Sequence, residues 1–259
     1  MTTSLGLFGT GRLGSAIRRL ADARDDLEVR WAVGRERPGG NRLAPVDVAV
    51  DVSTGEAVAE HLAWARGTGT DLVIGATGWD ASLVDGDLPV RVLVAPNFSL
   101  GVALVRRLAA VLGGYAAATD RAGTPVDLAV AETHHRHKVD APSGTALALR
   151  EALARGAGTR LEDVQTTSLR LGEVVGDHEV TVATGLETLT LRHTAHDRDL
   201  FASGALTAAR WLAARPHPGL FTLDDLAEDH LRPLFGAPAG QPDPDPRAAV
   251  RSTTADAHA

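Results

Sequence analysis

The fold is decided by "SLGLFGTGRLGSAIRRLADARD", residues 4–25. Its first six residues read as a short buried strand. Leu13, Ile17, Leu20 and Ala21 then recur at helical spacing, so one helical face is apolar. Between strand and helix stands "GTGRLG", residues 9–14, a G-x-G-x-x-G pattern. At a strand–helix junction each glycine has a physical task. Gly9 allows the tight turn, Gly11 lets the backbone approach a pyrophosphate, and Gly14 permits close helix–sheet packing. The positive helix N-terminus attracts phosphate charge. A tight glycine turn without a ligand is the plain alternative.

Working outward, strands and helices alternate. "LEVRWAVG" and "PVDVAVDVS" read as strands, "GEAVAEHLAWARGTG" as a helix, and "DLVIGATG" and "VRVLVAPN" as buried strands. Such alternation predicts an α/β fold with a parallel, doubly wound sheet. The second strand runs into "AVGRER". A site for NADH usually carries an acidic residue here for the ribose 2′-hydroxyl. This chain has Gly34, Arg35 and Arg37 instead, which suit a 2′-phosphate and favour NADPH. Glu36 between the arginines keeps a solvated basic turn and dual cofactor use open.

After Asn97 the rhythm changes. "SLGVALVRRLAAVLGGYAAA" reads as a long helix, "VDLAVAETHH" as a strand and "TALALREALARG" as a helix. Three extended segments follow over 164–198, and then "LFASGALTAARWLAAR" and "TLDDLAEDHLRPLF" return to helix. The expected division is a dinucleotide domain from 1–98 with 204–235, and an α+β substrate and oligomerisation domain from 99–203. The segment 236–259 has four prolines, Pro238, Pro242, Pro244 and Pro246, and no apolar periodicity, so a disordered tail is expected.

Composition narrows the function classes. The chain has 259 residues, 44 % of them apolar, enough for a substantial core. It has no cysteine, which excludes a disulfide scaffold, a thiolate zinc site and a cysteine nucleophile. The N-terminal stretch lacks a signal-peptide pattern, and no apolar run approaches the roughly 20 residues of a membrane span. A cytoplasmic location fits these features. The formal net charge of −7 argues against bulk nucleic-acid binding. An anionic ligand would need a local basic cluster.

One such cluster exists. In "ETHHRHKVDAPSGTALALREAL", residues 132–153, three of the ten histidines fall with an arginine and a lysine between His134 and Lys138. A zinc site needs three or four convergent ligands, and nothing nearby completes a set. A solvated basic loop is the bland alternative. Against it stands "DAPSGTALAL": Pro142 and Ser143 suit a helix start, Gly144 lets a ligand approach the backbone, and Thr145 offers a hydroxyl. A carboxylate there would meet free backbone N–H groups and the positive helix end. Histidine is a natural proton donor near neutral pH. The composite points to a small anionic, carboxylate-bearing substrate beside a nicotinamide.

With these residues in place, the chain resembles the dihydrodipicolinate reductase (4-hydroxy-tetrahydrodipicolinate reductase) family. The family signature E-x-H-H-x-x-K-x-D-A-P-S-G-T-A stands as "ETHHRHKVDAPSGTA", 132–146. The resemblance continues in "VIGATGWD", "APNFSLGV", "VVGDHEV" and "RDLFASGALTAARWL", and covers residues 4–235. It implies a Rossmann-like dinucleotide domain hinged to a substrate domain whose sheet builds a homotetramer. It also implies reduction of a diaminopimelate and lysine pathway intermediate with NADPH or NADH. By motif position, His134 would be the general acid/base and Lys138 a proton donor. His135, Gly144 and Thr145 would hold the substrate. Cofactor contacts would come from Gly9, Thr10, Gly11, Arg12, Leu13, Gly14, Arg35, Gly75, Ala76, Thr77, Ala95, Pro96, Asn97 and Phe98. No metal is implied.

The chain departs from the family pattern in a glycine loop one residue shorter, a short connection after "GRER", and Ala76 in place of a frequent threonine. These touch cofactor affinity and preference. Two other readings are another two-domain NAD(P)-dependent oxidoreductase of an amino or keto diacid, and a non-catalytic NADPH-binding sensor. The first would need a different signature at 132–145. The second could dispense with the proton donors, yet His134 and Lys138 are both present.

Overall fold

The computed structural model describes residues 2–34 and 43–235. Six strands form a wholly parallel sheet: β1 (Thr3–Phe8), β2 (Leu27–Val33), β3 (Val48–Asp51), β4 (Asp71–Ile74), β5 (Arg91–Val94) and β10 (Gly219–Thr222), in the order β10-β5-β4-β3-β1-β2. The inner strands β3 and β4 are buried at every position, so they read as short apolar runs rather than alternating ones. Helices cover both faces. On one face, α1 (Arg12–Asp22), α5 (Asp199–Ala213) and α6 (Leu223–Phe235) contribute Ile17, Leu206, Leu212 and Leu226 to one core. On the other, α2 (Gly55–Thr68) sets Val58 and Leu62 against Phe8, Leu72 and Ile74. Each fully buried side chain of this size contributes about 1.5–3 kcal/mol.

The second sheet has the order β7-β6-β8-β9, from β6 (Asp127–His134), β7 (Val164–Arg170), β8 (Gly176–Ala183) and β9 (Thr188–Ala195). β6 and β7 pair in parallel, and the other pairs are antiparallel. α3 (Leu100–Arg121) and α4 (Gly144–Ala157) close its inner face around Leu149, Leu153, Val130 and Val180. β8 alternates between buried and half-buried positions, as expected of a sheet covered on one side.

Several expectations are corrected here. β10 was missed: "GLFT" is only four residues long and alternates between half-buried and exposed, so it carries no buried apolar run. It nevertheless extends the parallel sheet beside β5. α5 is continuous from Asp199 and packs on α1, β3 and β4, so the expected boundary at 203/204 falls inside a helix. α3 is long and apolar enough by length and composition to cross a membrane, where no run was expected to approach a span. Its apolar face is used against α4 and β9, and Arg106 and Arg107 tie it to Asp224 and Glu228 of α6. Arg35, Arg37 and the segment 236–259 lie outside the described residues.

Candidate active site

The first sheet ends in a nucleotide-sized hollow. Gly9 has φ +106°, a left-handed value that disfavours any side chain. A Cβ on Gly14 would lie 1.9 Å from the Gly9 carbonyl oxygen, so the helix closes on the turn only because Gly14 has none. Gly11, in contrast, has nothing within 4 Å of a would-be Cβ. It is also the N-cap of α1 and supplies no side-chain cap, so the first amides of α1 remain available to an anion. Gly9, Thr10, Gly11, Gly34 and Ser53 line a cavity of about 630 Å³. On its wall, His61 Nδ1 lies 2.7 Å from Asp51 Oδ2, and the other Asp51 oxygen accepts from the Ser53 N–H at 3.0 Å. A dinucleotide's pyrophosphate and ribose fit this open, amide-lined turn.

The second sheet places the histidine stretch. β6 ends at His134, and alternation along the strand puts Glu132 and His134 on the same buried face. His134 Nδ1 is hydrogen-bonded to Glu132 Oε2. The other oxygen, Glu132 Oε1, accepts from Arg170 Nη2 at 2.9 Å and from the Ser143 N–H at 3.3 Å. Burial alone raises the Glu132 pKa, but the donors Arg170, Ser168 and His134 overturn this and lower it to about 2. The buried group is therefore a carboxylate. His134 is pushed down, first by burial and then by the charges of Lys138 and Arg170, against the pull of Glu132. The imidazole is neutral at pH 7, with Nδ1–H directed at Glu132 and Nε2 left for chemistry.

Beyond His134 the chain turns. Lys138 Nζ pairs with Asp140 Oδ1 at 2.8 Å, and Lys138 together with the Gly144 amide lowers the Asp140 pKa. Arg170 braces this turn through the carbonyls of Lys138 and Asp140. Ser143 caps α4, its Oγ accepting from the Ala146 N–H at 3.2 Å. Across the gap, Asn97 Nδ2 donates to Thr145 Oγ1 at 3.1 Å.

The two halves meet here. A cavity of about 730 Å³ is lined by Thr77, Pro96 and Asn97 from the first sheet's loops and by His134, Lys138, Gly144 and Thr145 from the second. Other expected residues lie elsewhere. His135 is half-buried and does not line the cavity, and His137 is exposed. The three histidines are crowded in sequence, but only His134 reaches the cavity, and the rings of His135 and His137 lie 6.4 Å apart outside it. Among the described residues, no group of three His, Cys, Asp or Glu side chains converges to hold a metal. Phe98 and Ala95 are core residues, and Leu13 packs against the same core. Ala76 is buried and Gly75 closes on the Phe98 ring, so these positions offer a cofactor backbone only. Sequence reading missed Arg170 and Asp140; an extended segment sets Glu132 and His134 on one face, but the hydrogen bond between them was not foreseen. Strand alternation from Glu132 to His134 was the one signal for that pair.

The fold and cleft define a two-part, dinucleotide-dependent oxidoreductase. The sequence profile for dihydrodipicolinate reductase, N-terminus, matches residues 3–98, and that for dihydrodipicolinate reductase, C-terminus, matches 101–227. A 4-hydroxy-tetrahydrodipicolinate reductase from Myxococcus xanthus is 37 % identical, covering 84 % of this chain and 94 % of its own. One from Methanopyrus kandleri is 35 % identical over 91 % and 97 %. The dipicolinate-bound dihydrodipicolinate reductase from Paenisporosarcina sp. TG-14 superposes with a TM-score of 0.74 at 20 % identity, covering 87 % of this chain and all of that one. The chain belongs to the dihydrodipicolinate reductase family.

Proposed function

We propose that this protein reduces 4-hydroxy-tetrahydrodipicolinate to tetrahydrodipicolinate with a reduced pyridine nucleotide, within diaminopimelate and lysine biosynthesis. The observation that carries this reading is the single cavity lined both by the cofactor-side loops and by His134, Lys138, Gly144 and Thr145. Bound in the first half, a reduced nicotinamide supplies hydride. The chain's own residues must then hold a dianion and deliver one proton, and the substrate's 4-hydroxyl leaves as water, so that substrate, hydride and proton balance to tetrahydrodipicolinate and water. The first turn of α4 and Lys138 supply positive potential for the carboxylates. The neutral state of His134 makes Lys138 the resting proton donor, because an imidazolium would stand beside Lys138 and Arg170. His134, oriented by Glu132, shapes the proton path through Nε2. General acid help of this kind is worth about 10²- to 10⁴-fold.

NADPH is the preferred cofactor in this reading, from Arg35 and Arg37, with NADH also accepted. The substrate domain forms a homotetramer through its sheet. Support for an assembly comes from Leu169, which is apolar yet 54 % exposed on the edge strand β7. The deciding test couples this protein to the synthase that condenses aspartate semialdehyde with pyruvate. Loss of NADPH absorbance on adding the protein is expected. No loss, with authentic intermediate present, overturns the reading.

A further inference from the structure

Three histidines stand in a row across the inner face of the second sheet, one on each of β6, β8 and β9. The ring centroids of His134 and His178 are 5.0 Å apart at an angle of 75°, and those of His178 and His193 are 6.3 Å apart. Only His134 lines the cleft. His178 is 4 % exposed and sits on β8 opposite Glu132 of β6. Its Nδ1 has no hydrogen-bond partner, and its Nε2 lies 3.3 Å from Ser143 Oγ.

That serine is the N-cap of α4. It is 2 % exposed. Its N–H donates to Glu132 Oε1, and its Oγ accepts from the Ala146 N–H. A hydroxyl that already accepts an amide has one hydrogen and one lone pair left. His178 Nε2 uses one of these in either neutral tautomer and so fixes the hydroxyl rotor. Burial, then the neighbouring His134 and His193, lower the His178 pKa to about 4, so the ring is neutral under ordinary conditions. A Cβ on Gly176 would meet His134 Nε2 at 3.1 Å and His178 Cε1 at 3.5 Å, so the bare glycine lets both rings lie close over β8.

We propose that His178 is a positioning residue for substrate binding: through Ser143 it seats the first turn of α4, so that the backbone at Gly144 and Thr145 faces the substrate carboxylate. The inference rests on the reading that this turn receives a carboxylate. His178 touches neither substrate nor cofactor. Its effect therefore falls on substrate affinity, with the chemical step and nucleotide binding spared. A histidine that merely filled the core would change stability and leave the split between KM and kcat untouched.

The test uses the full chain with His178→Leu, His178→Gln and His178→Asn, each checked for native circular dichroism. Pyridine-2,6-dicarboxylate is titrated by calorimetry with NADPH present, and NADPH is titrated alone. His178→Leu should weaken the diacid and raise the substrate KM by about tenfold, the worth of one buried hydrogen bond. kcat should stay within about twofold, and NADPH affinity should hold. Gln places an amide near the Nε2 position and should recover most of the loss, whereas the shorter Asn cannot reach Ser143 and should not. If the Leu variant does not fold, the Gln and Asn pair carries the same contrast. Equal diacid binding by wild type, Gln and Asn overturns the proposal, as does a fall in kcat at constant KM. Failure of the wild type to bind the diacid overturns the carboxylate reading itself, and the inference with it.

Discussion

Lys138 is held at the cleft by Asp140 and sits apart from the glycine turn that would take the dinucleotide. Lys138→Ala should therefore lower turnover by about a hundredfold or more while NADPH affinity stays near normal. Wild-type turnover in that variant would reduce Lys138 to a surface charge. Arg35→Ala should weaken NADPH far more than NADH, since only NADPH has a 2′-phosphate for a guanidinium to hold. Calorimetry with both cofactors decides this, and equal losses would remove the basis for an NADPH preference. Acid stability follows from two buried groups. The His178 pKa falls from 6.5 to about 4 in the folded chain, among His134, His193, Glu132 and Asp177. The neutral form is favoured, so this contribution is complete above about pH 6.5 and is lost as pH falls toward 4; the difference of about 2.5 in pKa corresponds to roughly 3 kcal/mol. Glu132, lowered from 4.5 to about 2, has the same sign and is lost below about pH 4.5. The melting temperature should fall steadily between pH 7 and pH 4, and His178→Gln should flatten the upper part of that fall. A flat profile in the wild type over this range would contradict the buried neutral histidine.

At the level of elements, α3 and α4 cross backbone to backbone at glycines. A Cβ on Gly156 would lie 2.0 Å from the Ala110 carbonyl oxygen, and one on Gly113 would lie 2.3 Å from the Leu153 oxygen. Intrinsic helix propensity says that Gly156→Ala should gain about 1 kcal/mol. A backbone clash that no flexible side chain can relieve costs about 1–3 kcal/mol or more, so packing should win. Urea titration should show net destabilisation, and a stabilised variant would mean that the helices can separate without loss. Such crossings were invisible in sequence, where "SLGVALVRRLAAVLGGYAAA" and "TALALREALARG" read only as helices. The helices and the buried strands themselves were legible, because apolar period and glycine turns are local signals. β10 was not, because four half-exposed residues become a strand only through their neighbour β5. The substrate stretch was legible as a motif, yet its geometry was not. Of the histidines at 134–137 only His134 lines the cleft, and the rings of His135 and His137 lie 6.4 Å apart outside it; Glu132 meets His134 by alternation along β6, while Arg170 and His178 come beside His134 and Glu132 by strand register.

For the whole molecule, the described fold closes at α6, so truncation after Phe235 should leave folding and activity intact. A large drop in thermal midpoint would show that the segment 236–259 docks. The larger consequence concerns the cleft. Its walls belong to different sheets, joined across the gap by the hydrogen bond from Asn97 to Thr145 and by the ion pairs of Arg106 and Arg107 with α6. A ligand that touches both walls favours the arrangement in which both are near. A nucleotide at the first wall would meet the Thr77 and Asn97 loops, and a dicarboxylate at the second would meet Lys138 and the turn at Gly144. Each ligand should therefore bind more tightly when the other is present. Linkage makes the two factors equal. If NADPH tightens pyridine-2,6-dicarboxylate tenfold, an effect of about 1.4 kcal/mol, the diacid must tighten NADPH tenfold. Calorimetric titration of each ligand with and without the other measures both legs of this cycle. Inhibition should be competitive with substrate and indifferent to prior dialysis against a chelator. Independent binding of the two ligands would mean that the halves do not close on one another. Activity lost on chelation and restored by zinc would assign the histidines of residues 134–137 to a metal instead of a dianion.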